Sequence, residues 1–145
     1  MTMSWHMMLE FEPPQLACVV SEGDYSFGAL RKTKECVIAI PCVKLADKVV
    51  KIGNCSGRTV AKFEEFELTT QPAQCVSPPL ILECFVNLEC KVTDTRLVNR
   101  YNLFVVEVVK AWIDPSRKSP KTIHHHGYGK FVVDGETIIL HSKMR

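Results

Sequence analysis

The chain has 145 residues, of which 46% are hydrophobic and 23% charged, and its formal net charge is +2. That size and composition suit one globular domain with a real core and exclude a disordered chain. The 18 basic and 16 acidic residues form no long basic run, so nucleic acid and an anionic membrane surface are not expected partners. No apolar stretch reaches the length of a transmembrane helix, so a membrane partner is not expected either.

Residues 1–9 are apolar and short, contain Trp5 and His6, and carry neither a basic leader nor a small-residue cleavage site. They do not read as a signal peptide, and a cytoplasmic protein is expected. Thr2, Ser4 and His6 alternate with Met3, Trp5 and Met7, the pattern of a half-buried strand. Phe11-Glu12-Pro13-Pro14 follows as a rigid turn. Residues 15–21 predict a buried strand ended by Glu22-Gly23-Asp24, and Ser26 is placed to cap a short helix carrying Phe27, Leu30 and Arg31. Residues 35–40 predict a second strand, stopped by Pro41.

Leu45, Val49 and Ile52 recur at helical spacing over 44–52, and that helix should stop at Gly53-Asn54. A further short helix is expected over about 59–66, with Val60, Phe63 and Phe66 on one face. The period then changes. Residues 80–93 and 101–112 are rich in Val, Ile, Leu, Phe and Cys and predict two long neighbouring strands. A polar loop from Asp114 to Gly129 holds three consecutive histidines. The last expected element is a hairpin of Phe131–Val133 and Thr137–Leu140 about Asp134-Gly135. Many strands with a few inserted helices imply a mostly β fold, a small closed or nearly closed barrel.

The seven cysteines include no Cys-x-x-Cys pair, and most lie in apolar runs. Reduced, buried thiols are expected. The adjacent His124, His125 and His126 lack the spaced geometry of a metal site, so no metal is expected.

Chemistry concentrates in Asn54-Cys55-Ser56-Gly57-Arg58 and Lys62. A turn at a helix start offers free N–H groups and a positive dipole end, which suit a phosphate. Ser56 adds a hydroxyl, and Lys62 lies four residues after Arg58, so both cations can share a helical face. Taken alone, the segment is more often an ordinary loop with two surface cations. The opening Thr2-Met3-Ser4-Trp5 combines hydroxyls with a large ring, as a flat heteroaromatic ligand needs. A strand with a core tryptophan has the same appearance.

Together these segments resemble one family. Met-Thr-Met-Ser-Trp-His, Phe-x-Pro-Pro, Glu-Cys-Val-Ile-x-Ile-Pro, Gly-Asn-x-Ser-Gly-x-x-x-x-Lys-Phe, Leu-Glu-Cys, Tyr-Asn-Leu-Phe and His-His-x-Gly-x-Gly occur in the order found in the flavin reductase-like family, nearest to its flavoredoxin-like branch. The resemblance runs from Met1 to the C-terminus. It implies an FMN-binding split β-barrel as a single domain over 1–145, a homodimer with FMN in the dimer cleft, and electron transfer with NADH, NADPH or a redox partner protein. By position it assigns Thr2, Met3, Ser4 and Trp5 to the isoalloxazine, Ser26 to the region of the ribityl phosphate, and Ser56, Gly57 and Lys62 to the phosphate. Tyr101, Asn102 and Phe131 are assigned to the ring edge and flavin face. No catalytic acid or base is required, because the flavin carries the electrons. Two departures stand out: Ala61 replaces the family's usual Asp before the lysine, and the strands that usually precede Met-Thr-Met-Ser-Trp are absent. The second implies an N-terminally truncated barrel, with a catalytically inactive, dimerising remnant as the alternative reading.

Overall fold

The structure, a computed structural model, describes residues 1–140; residues 141–145 of the expected domain lie outside the described residues. Five strands form one antiparallel sheet: β1 (His6–Phe11), β2 (Pro14–Val19), β3 (Glu35–Ile40), β6 (Val86–Asp94) and β7 (Leu103–Ile113). Their spatial order is β1-β2-β7-β6-β3, so the sheet is open, with β1 and β3 at its edges. Two small sheets accompany it, β4 (Thr70–Gln71) with β5 (Leu80–Ile81) and β8 (Ile123–His125) with β9 (Phe131–Val133). The helices are α1 (Tyr25–Thr33), α2 (Ala46–Gly53), α3 (Lys62–Glu65) and α4 (Val98–Tyr101), with a 3-10 turn at Val43–Leu45. This is the expected mostly β architecture of a split barrel.

The interior strands show why the sequence pattern worked. In β2, Leu16, Ala17 and Cys18 are all buried, because β2 lies between β1 and β7 with both faces covered. Helix α1 turns Phe27 and Leu30, three residues apart, onto the same core. The Phe27 and Phe104 rings meet edge-on, 5.5 Å between centroids and 72° apart. Leu16, Cys18, Cys90 and Val106 complete the centre of the cluster. Gly28 lies within α1, and a Cβ there would meet nothing within 4 Å. Gly28→Ala should therefore stabilise the protein by about 0.5–1 kcal/mol, read as a rise in the urea midpoint at unchanged m-value.

A buried carboxylate organises the strand-poor segment between α3 and β6. Glu89, on β6, is 0% exposed. Its oxygens accept from the amides of Gln74 (3.0 Å) and Cys75 (2.5 Å) and from Trp112 Nε1 (2.7 Å). Glu35 of β3 accepts from the amide and hydroxyl of Ser77, both at 2.9 Å. Asn87 bonds both backbone groups of Ile81, completing the edge of β5.

Several boundaries differ from the sequence reading. The N-cap of α1 is Asp24, and Ser26 is the second helical residue instead of the cap. Only Lys62–Glu65 of the expected 59–66 helix is helical. Residues 56–60 form a separate turn closed by Val60 N–H donating to Ser56 O at 3.0 Å, so Arg58 and Lys62 do not share a helical face. The 80–93 run breaks into β5 and β6. The other long strand starts at Leu103, because Val98–Tyr101 coils into α4 and Asn102 turns left-handed at φ 57°. Phe131–Val133 pairs with Ile123–His125 instead of Thr137–Leu140. Polar flanks hid the strand character of Ile123–His125, and its partner is set by the tight turn at Gly127 and Gly129, with φ of 91° and 73°.

Candidate functional site

The assigned residues gather mainly where β2 ends and β7 begins. Trp5 precedes β1, and its carbonyl accepts from Val19 N at 3.0 Å. One residue on, Val20 N donates to Asn102 O, also at 3.0 Å. These two bonds hold the opening segment and the α4–β7 corner at the same end of the sheet. Pairing of β1 begins only at His6, so Thr2, Met3, Ser4 and Trp5 lie just ahead of the strand rather than within it. Trp5 is 72% exposed; it is no core tryptophan. Met3 packs against the core cluster.

Thr2 reaches the other half of the site. A Cβ added at Gly53, the last residue of α2, would lie 2.7 Å from Thr2 Oγ1. A larger residue at 53 would displace that hydroxyl, so Gly53 is needed for close approach. Beyond α2 the chain enters the turn at Ser56. Ser56 Oγ accepts from Arg58 N at 3.2 Å, while the Ser56 and Gly57 amides have no acceptor among the described residues. A Cβ at Gly57 would lie 3.1 Å from Tyr25 Cδ1. The Arg58 guanidinium sits over the same Tyr25 ring, 6.0 Å from its centroid. This places Ser26, in the first turn of α1, near the Gly57 turn.

Lys62 reaches back across this turn. Its Nζ donates to Ile52 O at 2.7 Å and Cys55 O at 2.5 Å. The ammonium thus satisfies a carbonyl near the C-terminal end of α2, where a cation is favoured. An ammonium has three donors, so one remains for a ligand. Ala61, standing where the family usually has Asp, is the N-cap of α3 and makes no side-chain cap bond. The turn therefore offers a cation, two free amides and a hydroxyl around a backbone kept open by glycine, a donor set that fits a phosphate.

The histidine loop closes the other side. Ser4, Trp5, His125, His126 and Gly127 line an open cleft of about 390 Å³. The His125 ring packs on Phe131, 4.9 Å between centroids and tilted by 37°. His124 points elsewhere: its Nε2 lies 2.8 Å from Asp134 Oδ1 and 3.1 Å from the Thr122 hydroxyl. Thr122 also bonds Asp134 through its hydroxyl. The Thr122 hydroxyl, then His124, hold the Asp134 carboxyl below the usual carboxylate range. Among the described residues, no group of three or more His, Cys, Asp or Glu side chains could hold a metal ion.

The structure thus brings together Thr2, Ser56, Gly57 and Lys62, and separately Ser4 and Trp5 with the loop packed on Phe131. Asn102 joins Trp5 through the backbone of β2. Tyr101 is exposed beside Arg100, whose guanidinium lies 5.2 Å from its ring centroid. Tyr25, which shapes the Gly57 turn, was missed from sequence. Its only signal was an aromatic residue directly before Ser26, and nothing local links position 25 to position 57.

Comparison with known proteins gives the family and the fold. The model of the flavin reductase like domain matches residues 1–131. An uncharacterised protein of Archaeoglobus fulgidus is 30% identical over 136 residues, covering 90% of this chain and 77% of that protein. The uncharacterised Escherichia coli protein YddH is 28% identical over 150 residues, covering 95% and 79%. Among solved structures, the FMN-binding domain of a flavin reductases-like enzyme from Shewanella baltica superposes with a TM-score of 0.86 at 22% identity, over 96% of this chain and 80% of that one. Flavoredoxin of Desulfovibrio vulgaris gives 0.85 at 19%, over 95% and 79%.

Proposed function

This chain belongs to the flavin reductase-like domain family, and from that premise we propose that it is a single-domain, FMN-binding oxidoreductase. The observation that carries the reading is the Ser56–Lys62 turn, with its cation, free amides and glycine-kept approach, set beside the Thr2–Trp5 segment. Lys62, Ser56 and the Gly57 amide hold the FMN phosphate, with Ser26 nearby. Thr2, Met3, Ser4 and Trp5 border the ring system, Met3 through its backbone. Tyr101, Asn102 and Phe131 stand at the ring's periphery. Bound FMN supplies two-electron acceptance and donation, and the protein's own residues bind, orient and shield it. The electron donor is NADH or NADPH, and the acceptor is free flavin or a redox partner protein in the cytoplasm.

A homodimer completes the reading. Edge strand β1 exposes Met7, Met8, Leu9 and Phe11, the last at 90%. An uncovered apolar edge strand is an aggregation hazard unless a second surface pairs with it. Light scattering should give twice the chain mass of 16.4 kDa.

Titration of the purified protein with FMN tests the central claim: quenching of flavin fluorescence should saturate at one FMN per chain. NADH and NADPH oxidation, with and without added FMN, then separates a reductase from an electron carrier. A folded dimer that takes up no FMN would overturn the reading. Gly57→Ala should weaken FMN binding several-fold while leaving the melting temperature nearly unchanged, because the exposed Tyr25 ring yields to the added methyl and the turn shifts.

A further inference from the structure

Cys36 on β3 and Cys90 on β6 are directly opposed in the antiparallel register. Opposed residues of such a pair project from one face with Cα atoms about 4.5 or 5.5 Å apart. Both separations fall inside the Cα range of disulfides, about 4.4–6.8 Å, so closure needs only that the Cβ atoms draw together to about 3.5–4.5 Å. The register here is firm: next to the pair, Val92 N donates to Lys34 O at 2.8 Å. Both side chains meet the core cluster, and the Cys90 thiol donates to Leu88 O at 3.5 Å. Cys90 is fully buried, whereas Cys36, on the edge strand, is only partly covered.

We propose that Cys36 and Cys90 are a redox-modification site, closing a cross-strand disulfide on exposure to hydrogen peroxide. The roles of the two thiols differ. The adjacent Cys90 thiol holds the Cys36 thiol below its ordinary range despite burial. Hydrogen bonding to Cys36 and burial push Cys90 up. Cys36 is thus the more accessible thiol and the one whose ionisation is favoured over that of Cys90. Its thiolate attacks the peroxide: an S–O bond forms, the O–O bond breaks, and the departing hydroxide takes up the proton that Cys36 released. The Cys90 sulfur then attacks the Cys36 sulfenic acid. The S–S bond forms, the S–O bond breaks, and the hydroxyl leaves as water with the Cys90 proton. Two thiols lose two electrons and one peroxide becomes two waters.

Other thiols do not share this geometry. Cys18 lies near both but stands on β2, separated from β6 by β7 and opposed to Phe104. Cys42 receives a hydrogen bond from Arg117 at 3.6 Å; Cys84 lies near it but is not its register partner, which is Thr122. The bridge would tie edge strand β3 to the sheet interior just after α1. Its formation uses no FMN, so it stands or falls separately from the flavin reading.

The test is peroxide treatment of the full chain, followed by thiol counting under denaturing conditions and peptide mapping. The expected result is loss of two of the seven thiols, a linked Cys36–Cys90 peptide pair, and full recovery with dithiothreitol. Cys36→Ser should abolish the loss, with Cys36→Ala as the second variant should serine unfold the strand. Cys75→Ser, at an exposed thiol, should leave the link intact. A link from Cys18 to either partner, irreversible oxidation of Cys36 without a link, or undiminished loss in both Cys36 variants would overturn the proposal.

Discussion

Lys62→Ala is expected to weaken FMN binding by roughly 10- to 100-fold, the equivalent of about 1.5–3 kcal/mol for a charge-assisted contact to phosphate. The side chain does two things. Its Nζ bonds Ile52 O and Cys55 O, fixing the end of α2 against the turn that follows, and in the proposed site its remaining donor and charge serve the phosphate. Alanine removes both. The variant should therefore lose thermal stability even without FMN, because the carbonyl it satisfied near the helix end loses its partner. Lys62→Arg separates the roles, since it keeps charge and donors but changes their geometry. Affinity should recover to within several-fold of wild type while the melting temperature recovers only partly. Binding is read from FMN fluorescence and stability from the FMN-free melt. Unchanged FMN affinity in Lys62→Ala would remove the turn from the phosphate site.

Glu89→Ala should be the most destabilising single change considered, costing about 3–5 kcal/mol. Three donors lose a buried charged acceptor, each such bond contributing about 1.5–3 kcal/mol before relaxation. The Gln74 and Cys75 amides and the Trp112 indole have no other acceptor among the described residues. Glu89→Gln keeps shape and one acceptor oxygen, and should cost less. The pH dependence has a definite sign. Burial pushes the Glu89 carboxyl up, but the hydrogen bonds from Gln74, Trp112 and Cys75, with the nearby Val76 amide, together outweigh it and hold the group below its ordinary value of 4.5. A carboxyl depressed on folding contributes stability that is complete above its unfolded value and is lost as pH falls through its folded value. Urea midpoints measured from pH 7 down to pH 3 should decline for wild type below about pH 4.5. The decline should be shallower for Glu89→Gln, which has no such proton to take up. Equal slopes for the two proteins would show that Glu89 does not contribute to the acid limb.

The fold class and the family were legible because both rest on local signals. Strand β3 was read with its observed ends, since Glu35–Ile40 is an uninterrupted β-favouring run stopped by Pro41. The end of α2 was visible in Gly53-Asn54. The failures were equally physical. Apolar runs mark buried segments without marking where pairing stops, so the 80–93 run concealed the break between β5 and β6. The expected closing hairpin failed because turn chemistry at Asp134-Gly135 names a turn without naming the partner strand.

The amino-acid sequence by itself determined which residue types are available for a flavin phosphate and in what order. Ser56, Gly57 and Lys62 are local, and their spacing is visible on inspection. Only the tertiary structure decided what those residues touch. Lys62 reaches Ile52, Gly57 meets Tyr25, Thr2 abuts Gly53, and Cys36 faces Cys90. Each contact joins segments that composition and periodicity treat as independent. They meet because burial of the Phe27–Phe104 core fixes the helices and strands in place, and close packing then leaves each pair of neighbours little freedom to meet in any other way.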